Sequence, residues 1–136
     1  MTTEHTKEQN KEIVRRAIAA ISRGDMEGFL ADAADDFTMA VMGTALPPIQ
    51  GKQKALKGLR NALVARLENG GAIAMTIEKL IAEGDFVAEQ ARGVARTKSG
   101  KDYNNTYCRV WRITEGKIPS MQEYLDTELV RSCLLE

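Results

Sequence analysis

Histidine is nearly absent from this chain. His5 is the only one in 136 residues, and it sits in a polar leader rich in Thr, Glu and Lys, so no mechanism that needs a histidine in the core applies. Cysteine is almost as scarce. Cys108 and Cys133 lie far apart, and neither belongs to a pair at zinc-ligand spacing, so both are expected to be buried thiols rather than ligands. Excess charge of either sign is missing too: nineteen basic and nineteen acidic side chains cancel, which argues against nucleic acid or an anionic membrane as a partner. No apolar run approaches the length of a membrane span, and the N-terminus has no signal-peptide core. The expected compartment is therefore the cytoplasm, with reduced thiols. A phosphate-cradling glycine loop and a ligand-spaced cluster of His, Cys and carboxylates are lacking as well, so neither cofactor nor metal is expected.

What is present fits a single domain over residues 7–136, preceded by a leader over residues 1–6 that is expected to be disordered. Ile13, Val14, Ala17, Ile18 and Ile21 recur at helical spacing and predict a first helix from Lys7 to Ser22, stopped by Gly24. Asp25 caps a second helix with an apolar face of Met26, Phe29, Leu30 and Ala33. Phe37, Met39 and Val41 alternate as in a strand. Ala55, Leu56, Leu59, Ala62, Leu63 and Leu67 mark a third helix that ends at Asn69-Gly70-Gly71. From Ala72 on, four extended segments are joined by turn signals at Glu83-Gly84-Asp85, Lys98-Ser99-Gly100-Lys101 and Thr114-Glu115-Gly116-Lys117, which implies an antiparallel meander. Thr127 is placed to cap a last short helix. Helices first and sheet second predict an α+β fold: a cone-shaped α+β barrel with the N-terminal helices packed on a curved antiparallel sheet.

The chemistry concentrates near the C-terminus. Residues two apart in a strand share a face, so Asn105, Tyr107, Arg109 and Trp111 line one side of one strand, and Met121, Glu123 and Leu125 one side of the next. Gln90 and Arg92 share a face of the preceding strand and are expected to join them, with Glu78 and Glu89 on the opposite, exposed face. The result is a polar cluster in an apolar concavity, the composition of a small-molecule site. In a catalytic reading Glu123 is the general base, Arg92 anchors an oxyanion or carboxylate, and Asn105 and Tyr107 donate hydrogen bonds. In a structural reading Glu123 pairs with Arg92 or Arg109 and turns nothing over. Asp35 and Asp36 are expected at the end of the second helix. The outer sheet face, with Val87, Ala91, Ala95 and Val110, needs cover, which a homodimer would supply.

The segments Ala19-Ala20-Ile21-Ser22-Arg23-Gly24-Asp25, Ala34-Asp35-Asp36-Phe37, Pro48-Ile49-Gln50-Gly51 and Glu123-Tyr124-Leu125-Asp126 resemble the SnoaL-like proteins of the ketosteroid-isomerase-like superfamily, also called nuclear-transport-factor-2-like. That resemblance implies the same cone-shaped fold and a pocket for an apolar small molecule. It also implies cofactor-independent isomerase, cyclase or hydrolase chemistry, or binding without catalysis. The limonene epoxide hydrolase pattern of an Arg-x-Asp pair and a third Asp falls on Gln90, Arg92 and Glu123, which keeps one acid. The ketosteroid isomerase tyrosine falls at Ala17 and its base at Val41. The aspartic acid that helps hold the oxyanion falls near Tyr107 and Cys108, where Tyr107 can donate in its place.

Overall fold

The computed structural model describes residues 4–135. Helix α1 spans Glu4–Ser22, so residues 4–6, expected in the leader, are already helical, while residues 1–3 lie outside the described residues. Ile13, Val14, Ala17, Ile18 and Ile21 are buried together on its inner stripe, as their spacing predicts. Helix α2 is a single turn, Met26–Phe29, capped by Asp25, whose carboxylate accepts the Gly28 N–H at 2.8 Å. That hydrogen bond holds the exposed Asp25 carboxyl below the ordinary range.

Strand β1 covers Ala33–Val41 and β2 is the two-residue Ile49–Gln50. Asp35 and Asp36 thus lie within β1, not at a helix end, at the place where its register with the last strand shifts. Helix α3, Lys52–Leu59, widens into a π turn over Arg60–Val64 before the chain reaches β3, Ala74–Glu83. The meander continues with β4, Phe86–Val94, β5, Thr106–Thr114, and β6, Lys117–Leu125. A type I′-like turn closes the β5–β6 hairpin, with Glu115 at φ 51° and Gly116 at φ 78°. Helix α4, Thr127–Val130, is capped by Asp126 and not by Thr127: Asp126 Oδ1 accepts the N–H groups of Glu128 and Leu129.

The sheet order is β2-β1-β6-β5-β4-β3. Every neighbouring pair is antiparallel except β1 with β6, which run parallel. The chain enters the sheet at β1, passes through α3 and the whole meander, and returns as β6 beside β1; that long excursion permits parallel pairing where a hairpin does not. Helices cover the concave face of this curved, open sheet, and the core lies between them, with Phe29 set edge-on against Trp111 at 5.7 Å between ring centroids. Among the described residues no helix is long and apolar enough to cross a membrane.

Candidate functional site

Registers fix which side chains meet on the concave face. Glu89 of β4 stands opposite Arg109 of β5, and Arg109 opposite Glu123 of β6, so three charged residues form one row across three strands. One row further along stand Val87, Trp111 and Met121; the row on the other side holds Ala91, Tyr107 and Leu125. Cross-strand partners sit close enough to bond directly.

They do so here. Arg109 Nε donates to Glu123 Oε2 at 2.5 Å, and its Nη1 donates to Glu89 Oε2 at 2.7 Å. Trp111 Nε1 donates to the other Glu89 oxygen, Oε1, at 2.9 Å. Both Glu89 oxygens therefore receive an N–H, the arrangement of an ionised carboxylate. Glu123 engages one oxygen only, and its Oε1 accepts no hydrogen bond among the described residues. The row is buried: the side chains of Arg109, Glu89 and Glu123 are 4, 0 and 9% exposed. Burial raises the pKa of Glu89 against the opposing pull of Arg109 and Trp111. For Arg109 burial works against the charge, but Glu123 and Glu89 outweigh it and hold the guanidinium above the ordinary arginine value.

Against this row opens a cavity of about 430 Å³ between the sheet and the helices. Phe29, Met39, Leu59, Leu63, Ile73 and Val130 give it an apolar wall. Its polar end carries Tyr103, Tyr107, Arg109 and Glu123, and the third-helix region adds Asn61 and Arg66. The Tyr107 ring lies under the Arg109 guanidinium, 4.3 Å from it. Its hydroxyl is buried close enough to that of Tyr103 for each to affect the other's ionisation, yet it makes no hydrogen bond among the described residues. Burial keeps both phenols protonated by raising their pKa values. The Tyr107 ring fits because Gly93, an inward-facing position of β4, has no side chain; a Cβ there would stand 3.1 Å from Tyr107 Cε1.

Tyr107, Arg109 and Glu123, singled out from the sequence, do come together at the cavity. Gln90 and Arg92 do not. They pair in register with Cys108 and Thr106 and point out through the convex face, where Arg92 meets Glu78 at 3.2 Å. Glu89, expected outside, is instead inside, because inward and outward positions on β4 are the reverse of the expected ones. The same reversal buries Val87 and Ala91 in the core and removes them from the outer face. Asn105 is buried but does not line the cavity. Its amide donates to Tyr103 Oη and the Asp126 carbonyl, and its Oδ1 accepts the N–H groups of Thr106 and Asp126, so it braces the start of β5 against the entrance to α4. Trp111 is core and supports Glu89 from below. Among the described residues no group of His, Cys, Asp and Glu is placed to hold a metal ion. Cys133 is buried, and Cys108 is half-buried on the outer face.

The fold has close relatives in shape. An LEH-like epoxide hydrolase of M. tuberculosis superposes with a TM-score of 0.75 at 19% identity, covering 95% of this chain and 91% of its own. A protein with a ketosteroid isomerase-like fold from Catenulispora acidiphila, solved with trimethylamine, gives 0.73 at 22% identity and covers 90 and 92% of the two chains. An NTF2-like protein of Burkholderia pseudomallei gives 0.80 at 16% identity, with 94 and 98% covered. At these identities the likeness is one of fold. No curated protein matches the chain in sequence. The SnoaL-like domain model, however, matches residues 14–121, most of the chain, with Glu89 and Arg109 inside the match and Glu123 just beyond its end, and the protein belongs to the SnoaL-like family.

Proposed function

We propose that this domain binds an apolar small organic molecule in the cavity, with the polar end of the ligand on Tyr107 and Glu123. The Tyr107 hydroxyl carries the reading. A buried hydroxyl without a partner costs roughly 1 to 3 kcal/mol, and Tyr107 belongs to the polar end of a cavity whose wall is otherwise largely apolar. A ligand atom there satisfies it. Glu123 Oε1 supplies a second, charged contact at the same end of the cavity. The Arg109 clamp on Oε2 holds the carboxylate in one orientation, which suits a fixed binding contact.

Catalysis is the second reading, and one observation favours it: Glu123 lines the cavity, and its Oε1 accepts no hydrogen bond among the described residues. In that reading Glu123 Oε1 takes a proton from the ligand, as in isomerase, cyclase or hydrolase chemistry. Glu89 is wholly buried behind Arg109 and does not line the cavity, so it cannot itself protonate a ligand.

Tyr107→Phe tests the binding reading. Removing the orphan hydroxyl should raise the unfolding free energy of the unliganded protein by about 1 kcal/mol while weakening whatever compound copurifies with the unaltered chain. Mass spectrometry of the purified protein and melts of the two chains measure both effects. A less stable Tyr107→Phe chain with undiminished ligand would remove the reading.

We further propose that two copies associate through the convex sheet face, where Ile81, Phe86, Val94 and Tyr124 are exposed.

A further inference from the structure

We infer that the compound this cavity takes is an organic cation, a protonated amine on an apolar body; the inference rests on the cavity being a ligand site. The row across the sheet contains two carboxylates and one guanidinium, all at least nine-tenths buried. Both Glu89 oxygens accept N–H groups, the arrangement of an ionised carboxylate, so above its raised pKa Glu89 stands as an anion. Arg109 is shared between it and Glu123. One negative charge is left over, and a buried charge without a counter-ion is strongly unfavourable. The unused acceptor of the row, Glu123 Oε1, belongs to the one carboxylate that lines the cavity. Arg66, the other cation of the lining, already has a partner of its own.

An ammonium group entering the polar end would donate to Glu123 Oε1 and complete the row as two anions and two cations. The Tyr107 hydroxyl, which has lone pairs to offer, can accept a second N–H from the same group. A neutral ligand would satisfy the phenol but leave the charge, and a carboxylate would add to it. The hydrocarbon body of the amine fills the wall formed by Phe29, Leu59, Leu63 and Ile73.

Calorimetric titration with aminoadamantane, adamantanol and adamantane carboxylate compares a cation, a neutral molecule and an anion of nearly one shape. The amine is expected to bind about tenfold tighter than the alcohol or better, the worth of one charge-assisted hydrogen bond, with the carboxylate weakest. Glu123→Gln, which keeps an acceptor for Arg109 and removes the surplus charge, should bring the amine down to the level of the alcohol. An alcohol equal to the amine, or a carboxylate that binds tighter, would overturn the inference and leave the cavity as a ligand site. Failure of all three probes to bind would overturn both. The ranking in the unaltered protein decides by itself, so the inference stands or falls on it even where the Glu123→Gln chain fails to fold.

Discussion

Arg109 has two carboxylate partners, and they are not equivalent. Glu89 uses both oxygens and Glu123 one. An amide at position 89 turns an N–H toward either Arg109 or Trp111, so Glu89→Gln is expected to lower the unfolding free energy by about 2 to 3 kcal/mol. An amide at position 123 still offers one oxygen to Arg109 Nε, so Glu123→Gln is expected to cost less than about 1 kcal/mol. Arg109→Met leaves two buried carboxylates without a counter-charge and should cost roughly 3 to 5 kcal/mol. Urea melts of the three variants check the order; Glu123→Gln unfolding as readily as Glu89→Gln would contradict the unequal sharing. Burial raises the Glu89 pKa above its ordinary value of 4.5, so the folded state holds that proton more tightly than the unfolded one. The stability it contributes is fully present below the unfolded value and is lost as pH rises through the folded one. The gap in unfolding free energy between the unaltered chain and Glu89→Gln should therefore shrink as pH rises from about 4.5 toward neutrality, and a gap that widens over that range would reverse the sign. Glu89 was hidden in the sequence for a physical reason. On β4 both the outward set, Phe86, Ala88, Gln90, Arg92 and Val94, and the inward set, Val87, Glu89, Ala91 and Gly93, mix apolar with polar residues, so alternation alone does not choose the face. The usable signal lay on the neighbouring strand: Arg109, between Tyr107 and Trp111 on an inward face, needs acids beside it.

At the scale of elements, the three helices and the four-strand meander were legible because each has a clear period and a turn signal at its end. What escaped depends on contacts between distant segments: the parallel pairing of β1 with β6, the shift of Asp35 and Asp36 into a strand, and the choice of Asp126 over Thr127 as the α4 cap. The cap shows the difference well. Asp126 is held from behind by Asn105, which bonds both its N–H and its carbonyl, so β5 sets where α4 starts, and no local pattern reports that. Gly93 shows how one element shapes another. It occupies an inward position of β4, and a Cβ added there would meet the Ile73 side chain at 2.5 Å and Tyr107 Cε1 at 3.1 Å. Gly93→Ala should therefore cost about 1 to 3 kcal/mol, as overpacking does, and push the Tyr107 ring toward the cavity, with weaker ligand binding. A melt and a titration on the same preparation measure the two effects, and an alanine chain as stable as the parent and binding equally well would show that the ring does not rest on this glycine.

For the whole molecule, one face of the sheet is buried by helices and the other carries Ile81, Phe86, Val94 and Tyr124 at 56, 49, 61 and 45% exposure. The apolar part of the convex face is therefore a different set of residues than alternation alone suggested, with Phe86 and Val94 in place of Val87 and Ala91, and Val110 retained. It also holds charges of both signs, Glu78 beside Arg92 on adjacent strands. Such a patch can be self-complementary: across a two-fold axis each glutamate meets the arginine of the other copy, while the apolar side chains cover one another. We expect a dimer in solution at about 10 µM, the concentration range in which association of this kind is tested, with Phe86→Glu and Val94→Glu together weakening it at least about tenfold through uncompensated buried charge. Light scattering of both chains reads the masses. The cavity opens on the opposite side of the sheet, so the charged variant should keep its ligand affinity and its melting behaviour at high dilution. An unaltered chain that scatters as a monomer at that concentration would leave the outer face solvent-exposed, and a charged variant that loses its ligand would mean that the two faces of the sheet are coupled.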